Sequence, residues 1–548
     1  MIVRVFSAVA GLVAVLAGLV WLNYETIILA LASRAKIGEF APTQDIVWEQ
    51  GPREPMEGER PPNIVFILAD DLGFNDISTY GGGMAGGTVP TPNIDRLRAR
   101  GVSFDVAYSG TASCAPSRGM LMTGRYPTRT GFEFTPTPGR MSPIIATIAN
   151  RNRRGRPRIN VNKDGVTLPY ELQGLPGSEI TIAEVLQDAG YHTVHIGKWH
   201  MGREGEFRPN SQGFDESLLM ASGLFLPEDD PGVVNAKLDF DPIDQFLWAS
   251  MEYAAQFNNG EWFEPGGYLT DWWTDEAIDV IEANKNRPFF LYLAHWAVHT
   301  PLQARKEDYE ALAHIEDHDE RVYAGMMLSL DRSVGRVLDA LDEQGLSDNT
   351  LIVFSSDNGG AGYLGIPDVN APYRGYKLTF FEGGIRVPMF MTWPGEIGAD
   401  TTVTAPVSHI DLMPTLAAAA GAPLPDVEID GVDLLPLARG ETDDAPHEAI
   451  FFQSAWYRVV RAGDWKLQLD ARPDSVHLFN LADDPTEQVN VAGQYPEKVV
   501  ELTAMIEEHS RAGGEPLYAH QIEGVISVDK TIDEQIDVTE DEYIIWPN

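Results

Sequence analysis

The sequence predicts an α/β fold, with a mainly parallel central sheet flanked by helices and a smaller C-terminal unit of antiparallel strands and a helix. Short apolar runs alternate with helix-like segments over residues 63–445, which is the pattern of a parallel sheet. From residue 446 onwards, short strands follow one another with turn residues between them. The 548 residues also exceed the usual size of one hydrophobic core, so two units are expected.

The central part begins with an apolar run, Asn63–Ala69, that closes on Asp70 and Asp71. A strand buried on both faces has this continuous apolar composition. Further apolar runs and helix-like segments alternate along the chain at Ile180–Ala189, Tyr191–Ile196, Asp275–Asn284, Pro288–Ala294, Val322–Glu343 and Thr350–Ser355. Ligands bind at the carboxyl ends of such strands, so functional side chains are expected there.

The C-terminal unit, residues 446–548, contains four short runs and then a helical segment: Ile450–Gln453, Tyr457–Ala462, Trp465–Leu469, His477–Asn480 and Pro496–His509. Turn residues separate the runs, which favours hairpins over crossover connections. A small antiparallel sheet, a helix and a tail are therefore expected.

The N-terminus, residues 1–34, contains an uncharged apolar run of 18 residues, Val5–Leu22, preceded by Arg4. This run is long enough for a transmembrane helix, and Arg4 favours a cytoplasmic start. Cleavage after Ala30-Leu31-Ala32 is the alternative, which would give a secreted protein. We expect an uncleaved membrane anchor, a polar tether over residues 35–62, and a catalytic domain at 63–445 that is periplasmic or extracytoplasmic.

Charge and cysteine content narrow the classes of function. With 40 basic against 81 acidic residues, the formal charge of −41 repels nucleic acids and argues against them as partners. A small anionic substrate stays possible, because a local cluster of cations outweighs a diffuse field that salt screens. The single cysteine, Cys114, cannot form an intramolecular disulfide.

Cys114 lies in the most informative segment, Ser113-Cys-Ala-Pro-Ser-Arg-Gly-Met-Leu-Met-Thr-Gly-Arg-Tyr-Pro. The proline after it suits the first turn of a helix, so Cys114 is expected at a helix N-terminus with backbone N–H groups around it.

Two pairs of oxygen-bearing side chains follow apolar runs. Asp70 and Asp71 close the first run, and Asp357 and Asn358 follow Leu351–Ser355. They offer the hard oxygen ligands that Ca²⁺ prefers, at equivalent strand ends. Taken singly, each pair is better explained by a turn or a helix cap, so the assignment to a metal site depends on what accompanies the pairs.

The Cys114 segment resembles the signature of the sulfatase family, C-x-P-S-R followed by x-x-x-x-T-G-R, including Arg118 and Thr123-Gly124-Arg125. The resemblance implies an alkaline-phosphatase-like fold and hydrolysis of sulfate esters. It also implies that a separate formylglycine-generating enzyme oxidises Cys114 to formylglycine, and that one Ca²⁺ is bound by Asp70, Asp71, Cys114, Asp357 and Asn358. The similarity extends from about residue 63 to about residue 510.

Further segments resemble the family's and imply catalytic cations. Gly197-Lys198-Trp-His200 supplies Lys198 and His200, and the histidine before Thr-Pro is His299. Lys377 corresponds to the active-site lysine, although Tyr376 precedes it where many relatives have glycine. Without the resemblance, Lys198 and His200 would be interpreted as ordinary loop residues.

Two neighbouring features are expected to be structural. His295 is expected to pack or to orient other groups, and Glu382 with Arg386 is expected to form an ion pair.

The implied reaction is in-line attack of the hydrated formylglycine at sulfur, with Arg118, Lys198 and Ca²⁺ binding sulfate oxygens. His299 and Lys377 are expected near the leaving oxygen, where a proton donor is needed. His200 is expected near the hydroxyl whose deprotonation expels sulfate.

Other functions stay open at this point. Relatives on the same scaffold hydrolyse phosphonate monoesters or phosphodiesters, and a non-catalytic, membrane-tethered sugar-binding protein is a third possibility. The basic run Arg151–Arg158 lies in the unmatched region 140–175, where it either binds a sulfated polymer or forms a solvated loop. Aryl, monosaccharide and polysaccharide sulfates remain alternatives as substrates.

Overall fold

The structure is a computed structural model that describes residues 15, 23–32, 40–55, 58, 60–162 and 168–548. In this part of the chain the strands, numbered in chain order, are β1 (Asn63–Ala69), β2 (Val102–Phe104), β3 (Ala107–Tyr108), β4 (Asn160–Val161), β5 (His192–Gly197), β6 (Glu216–Gly223), β7 (Val233–Ala236), β8 (Tyr253–Phe257), β9 (Trp262–Phe263), β10 (Phe289–Ala294), β11 (Leu302–Arg305), β12 (Thr350–Ser356), β13 (Met389–Thr392), β14 (Thr401–Val403), β15 (Val407–Ser408), β16 (Ala449–Ser454), β17 (Tyr457–Ala462), β18 (Trp465–Asp470), β19 (Ser475–Asn480), β20 (Ile522–Ser527) and β21 (Tyr543–Pro547). The α-helices are Tyr24–Ala32, Met84–Gly87, Pro92–Ala99, Cys114–Thr123, Pro127–Thr130, Met141–Arg151, Ile182–Asp188, Pro242–Ser250, Leu269–Asn284, Lys306–Ala311, His318–Glu343, Glu382–Ile385, Leu412–Ala419, Leu435–Ala438 and Pro496–Ala512.

The central sheet has ten strands in the order β14-β2-β13-β12-β1-β10-β5-β6-β8-β9. The neighbours β12, β1, β10, β5 and β6 run parallel, while β13 and β8 are antiparallel to the strands beside them. The carboxyl ends of the parallel strands therefore meet at one edge of the sheet. This arrangement confirms the predicted α/β fold with a mainly parallel central sheet.

The sheet separates two hydrophobic cores, because successive side chains of a strand point to opposite faces. Ile64, Phe66 and Leu68 of β1 belong to one core, with apolar residues of the helices Cys114–Thr123, Ile182–Asp188 and Leu412–Ala419. Val65 and Ile67 belong to the other, with the helices Leu269–Asn284 and His318–Glu343. Burial on both faces explains the continuous apolar composition of β1.

The C-terminal sheet is antiparallel, in the order β16-β17-β18-β19, as predicted. Leu502 and Ile506 of the helix Pro496–Ala512 pack on one face of it. On the other face, Phe452 and Tyr457 pack against Phe380 and Phe381, which lie just after Lys377 in the chain. The predicted boundaries at residues 62/63 and 445/446 stay predictions.

The tail returns to the central part of the molecule. Strand β20 pairs with β21 and also with β4, in the region that lies outside the family resemblance. Arg156 of the basic run donates hydrogen bonds of 2.8 Å to the carbonyls of Glu534 and Thr531, and Arg154 donates to the carbonyl of Asp533. This part of the basic run is packed against the tail and is not a free loop.

The N-terminal predictions need correction. Among the residues that the structure describes, no helix is long and apolar enough to cross a membrane, so the prediction of a membrane-anchored protein is wrong on this finding. The predicted anchor itself, Val5–Leu22, lies outside the described residues except for Val15.

The segment predicted as a tether is packed where it is described. The indole of Trp48 is buried and donates a 2.8 Å hydrogen bond to Glu276. Arg60 donates to the carbonyls of Lys285 and Arg287. The apolar surface of Trp48 explains why this stretch lies on the domain despite its polar, proline-punctuated sequence.

Candidate active site

Four neighbouring parallel strands deliver the predicted functional residues to one edge of the sheet. Asp70 and Asp71 follow β1, Asp357 and Asn358 follow β12, and Lys198 follows β5. The segment after β10 carries His299. The order β12-β1-β10-β5 thus brings together residues that are nearly 300 positions apart in the sequence.

Cys114 is the first residue of a helix, as its segment predicts, and Ser113 before it is extended. The helix ends at Gly124, whose φ of 65° is the left-handed conformation that favours glycine. Cys114 Sγ lies 3.6 Å from Asp70 Oδ1 and 3.7 Å from Asp71 Oδ1. Burial and the neighbouring Asp357 raise the pKa of the Cys114 thiol, so the unmodified side chain is a neutral thiol and a weak nucleophile.

Three buried carboxylates face three buried cations. Arg118 donates from Nε to Asp357 Oδ2 at 2.8 Å and also lies 3.5 Å from Asp70. Lys198 Nζ donates to Asp70. Lys377 Nζ donates to Asp71 at 2.6 Å and to Cys114 Sγ at 3.0 Å. Because each charge has an opposite partner, the group is tolerated away from water.

Asp71 is the most heavily contacted of these carboxylates. Besides Lys377, it accepts hydrogen bonds from Asn358 Nδ2 at 2.8 Å and from the Tyr363 hydroxyl at 2.6 Å. Burial alone would raise the pKa of Asp71, but the neighbouring Lys377 and His299 hold it well below its usual range. Asp71 is therefore ionised at neutral pH.

Tyr363 is a site residue that the sequence did not indicate. Its hydroxyl bonds to Asp71 and also lies 3.3 Å from Lys377 Nζ. It sits five positions after Asn358, in a glycine-rich stretch with no pattern that distinguishes it from a turn residue.

His299 is held in one orientation. Its Nδ1 donates a 2.6 Å hydrogen bond to the Thr300 carbonyl, and its ring stacks on Trp296 with centroids 4.1 Å apart. Nε2 is thus the free ring nitrogen, 3.4 Å from Lys377 Nζ. Burial lowers the pKa of His299 to about 3, so the ring is neutral at ordinary pH.

The other two histidines differ from it. His295 lies away from the carboxylates, where its Nε2 is 2.9 Å from the hydroxyl of Ser333, and this contact agrees with a packing role. His200 lines the same cavity as Cys114, but its Nδ1 has no hydrogen-bond partner among the described residues. Burial and the neighbouring Lys198 lower its pKa well below the usual value. Of the predicted catalytic residues, only His200 is not hydrogen-bonded into the cluster.

The arrangement fits a hard divalent cation. Asp70, Asp71, Cys114 and His299 each place a ligand atom within 4.8 Å of the others. Asn358 Oδ1 is buried without a hydrogen-bond partner, while its Nδ2 is engaged by Asp71. Burial and the nearby Asp70 raise the pKa of Asp357, and a cation between these carboxylates would relieve that crowding. Carboxylate and amide oxygens are the donors that Ca²⁺ prefers.

Part of the cluster lines a cavity of about 970 Å³. Cys114, Lys198, His299 and Lys377 are among the lining residues, as are the aromatic side chains of Trp262 and Tyr170. This volume is at the upper end of the range for small-molecule sites, and far exceeds what one sulfate group needs. The cavity therefore has room for a substrate of several rings.

Family models match most of the folded chain. The model described as Sulfatase matches residues 62–422, and the model described as N-sulphoglucosamine sulphohydrolase, C-terminal, matches residues 376–511. The two matches together extend from the start of β1 to the helix Pro496–Ala512.

Curated relatives cover similar ranges. The chain is 33% identical to mouse N-acetylgalactosamine-6-sulfatase over 444 residues, which are 79% of this chain and 77% of the relative. It is 33% identical to human arylsulfatase A over 497 residues, covering 80% and 85% of the two chains. A solved structure of Ps i-CgsB in complex with k-i-k-neocarrahexaose is 32% identical, with a TM-score of 0.69 over 84% of this chain and 94% of that one.

Proposed function

We propose that this chain, which belongs to the sulfatase family and is a sulfuric ester hydrolase, hydrolyses sulfate esters of carbohydrates to an alcohol and inorganic sulfate. The nucleophile in this proposal is a formylglycine made from Cys114. One observation carries the proposal. Cys114 Sγ is buried and lines a large cavity, 3.0 Å from the ammonium of Lys377 and within 3.7 Å of two carboxylates.

The chemistry of the unmodified cysteine supports its conversion. The thiol is protonated, and a thiol or serine ester of sulfate would need a second attack at sulfur to be released. Formylglycine supplies, in its hydrated form, a hydroxyl nucleophile whose sulfate ester collapses by C–O cleavage. The Sγ position marks where that hydroxyl oxygen would lie.

A bound Ca²⁺ is part of the proposal. Asp70, Asp71, Asp357 and Asn358 would hold it, together with the modified Cys114. It would act as a Lewis acid toward the nucleophile and the sulfate oxygens. The fit rests on the donor atoms described above, chiefly the unpaired Oδ1 of Asn358.

In this proposal, side chains of the protein bind the sulfate group and transfer protons. Arg118 and Lys198 would bind sulfate oxygens, since both are cations fixed by buried carboxylates. Lys377 is the charged donor nearest to Cys114, and the neutral Nε2 of His299 faces it. We assign to this pair the transfer of a proton to the leaving oxygen. His200, on the cavity wall, would assist release of sulfate.

A carbohydrate substrate is favoured over a simple aryl ester by the size of the cavity and its aromatic wall. The Ps i-CgsB structure contains a neocarrahexaose, and the mouse relative is named for a sulfated N-acetylgalactosamine. Indole and phenol rings suit the apolar faces of sugars.

The test begins with peptide mass spectrometry across Cys114, on protein produced together with a formylglycine-generating enzyme. Hydrolysis of 4-nitrophenyl sulfate, of sulfated galactose oligosaccharides, and of a phosphonate monoester and a phosphodiester is then measured with Ca²⁺ and with chelator. A Cys114→Ala variant serves as the control. Conversion with chelator-sensitive release of sulfate from the sugars is expected. Full conversion with cleavage of only phosphonate or phosphodiester substrates, or with no hydrolysis at all, would contradict the proposal.

A further inference from the structure

We propose that Arg203 binds a second anionic group of the substrate, so that the preferred ligand is an oligosaccharide with an oxyanion on a sugar next to the one that is hydrolysed. This inference rests on the proposed function, whose reacting sulfate is bound at Cys114. The shared chemistry of the second group is a sulfate or a carboxylate.

Arg203 and Cys114 line the same cavity. Arg203 follows His200 by three positions. The segment that carries Lys198 therefore also carries the guanidinium of Arg203, and both residues line the cavity. Because the cavity is far larger than one sulfate group, a ligand that fills it extends past the reacting ester.

The guanidinium of Arg203 lies over two aromatic rings. Its central carbon lies 5.3 Å from the ring centroid of Trp262 and 5.8 Å from that of Tyr170. Both distances are within the range of cation–π attraction, which orients a guanidinium without neutralising its charge. Trp262 is itself fixed by β9, and its carbonyl accepts a 3.0 Å hydrogen bond from the backbone of Ala41.

The loop that carries Arg203 is fixed from the other side. Arg208 donates to the Arg203 carbonyl at 3.1 Å and pairs with Glu204 at 2.6 Å. Gly202 has a φ of 104°, and an added Cβ there would lie 2.3 Å from Phe207, so the turn is tightly packed. The neighbouring acidic residue, Glu204, forms its ion pair with Arg208 and not with Arg203.

Arg203 forms no ion pair with any residue that the structure describes, although acidic residues outnumber basic ones two to one. Arg439, by contrast, lies over Trp393 and also pairs with Glu396. Glu171 and Asp239 are also on the cavity wall, and neither pairs with Arg203. A positioned, unneutralised guanidinium is the group that binds sulfate or carboxylate through two parallel hydrogen bonds.

The test compares Arg203→Gln with Arg439→Gln. The control removes an arginine that also lies over a tryptophan ring but is outside the cavity. kcat/KM is measured for three disaccharides that share the reacting sulfate: one with a second sulfate on the adjacent sugar, one with a uronic acid there, and one with a neutral sugar there. Arg203→Lys keeps the positive charge but loses the planar guanidinium with its two parallel donors. It tests the same proposal if the glutamine variant folds poorly.

Arg203→Gln is expected to lower the preference for the dianionic over the monoanionic disaccharide by roughly tenfold to hundredfold, mainly through KM, with a smaller loss in Arg203→Lys. Arg439→Gln should keep the wild-type preference. An equal decline on all three disaccharides, or an unchanged preference in Arg203→Gln, would overturn the proposal. Comparison of kcat/KM for the disulfated disaccharide and for the one with a uronic acid shows whether a sulfate or a carboxylate is preferred as the second anionic group.

A binding measurement separates this inference from the proposed function. Calorimetric titration of the unreactive Cys114→Ala protein, with and without Arg203→Gln, reports whether the disulfated disaccharide binds more tightly than the monosulfated one. If the wild-type protein hydrolyses no sulfate ester, the proposed function fails, yet a dianion preference that depends on Arg203 still supports the site. Hydrolysis without any such preference leaves the proposed function intact and refutes the role of Arg203.

Discussion

Replacing the buried Lys466 by methionine should destabilise the protein strongly, because Lys466 connects the C-terminal sheet to the segment that follows Lys377. Its ammonium lies 2.8 Å from Glu382 Oε1 and 3.0 Å from Glu487 Oε1, and all three side chains are fully buried. Arg386 stays 3.5 Å from Glu382 in this variant, but among the described residues Lys466 is the only ion-pair partner of Glu487. Removing one partner of a buried ion pair costs about 3–5 kcal/mol, since the charge left behind, here that of Glu487, loses its compensation. We expect the free energy of unfolding of Lys466→Met to fall by that amount.

The matched control is Lys498→Met, which removes a partly exposed lysine paired with the exposed Glu501 at 2.7 Å. Surface pairs of this kind contribute about 0–1 kcal/mol. Urea denaturation followed by tryptophan fluorescence would measure both variants under the same conditions. A loss of less than about 1 kcal/mol in Lys466→Met, similar to the control, would refute the reasoning.

The pH dependence of this deficit gives a second check. Burial would raise the pKa of Glu382, but Lys466 holds it at about 2, whereas burial raises the pKa of Glu487 to about 7. A carboxyl group whose pKa is lowered in the folded state stabilises the protein above its unfolded pKa. Without Lys466, Glu487 must take up a proton to stay buried, whereas Arg386 still lies beside Glu382. The deficit of Lys466→Met should therefore be larger at pH 8 than at pH 5.

Three further predictions concern the site and its surroundings. Tyr363→Phe removes the hydroxyl that bonds to Asp71 and should lower kcat/KM roughly tenfold to hundredfold. Tyr518→Phe, which loses a hydrogen bond to the Phe134 carbonyl and none to the cluster, should not. If the proposed Ca²⁺ site exists, added Ca²⁺ should raise the melting temperature of the wild-type protein, and Asn358→Ala should weaken that rise in differential scanning fluorimetry. An equal calcium response in the two proteins would remove Asn358 from the ligand set. Burial and Asp241 raise the pKa of Asp244 to about 8, so the folded protein holds a proton there that the unfolded chain releases, and the free energy of unfolding should fall between pH 4 and pH 8. Asp244→Asn should flatten that fall in denaturation experiments, and an equally steep fall in the variant would contradict the assignment.

The sequence predicted the core of the fold because burial on both faces leaves a simple pattern. Asn63–Ala69 is uniformly apolar, and the carboxylates after it mark the strand end. Helix limits were less accurate: the segment expected to begin at Asp275 begins at Leu269. Its first turns bury Trp272 and Trp273, and the adjacent charges at Asp271 and Asp275 hide that periodicity in the sequence.

The candidate site was predictable where a local motif carries it. Cys114 and the residues matched to sulfatase segments converge in the structure, although their catalytic roles remain predictions. Tyr363 could not be found, because its contact with Asp71 joins positions 292 residues apart and no short spacing encodes it. The same reason applies to Arg203, whose two aromatic neighbours come from separate segments.

The packing of Trp48 has a practical consequence for producing the protein. A shortened chain that starts at the apparent beginning of the domain, near residue 62, would leave Glu276 without the indole donor and expose the pocket that Trp48 fills. It would also remove Arg60 from the carbonyls of Lys285 and Arg287, at the end of the helix Leu269–Asn284. Recombinant versions should therefore begin before residue 40, so that the whole packed stretch is retained.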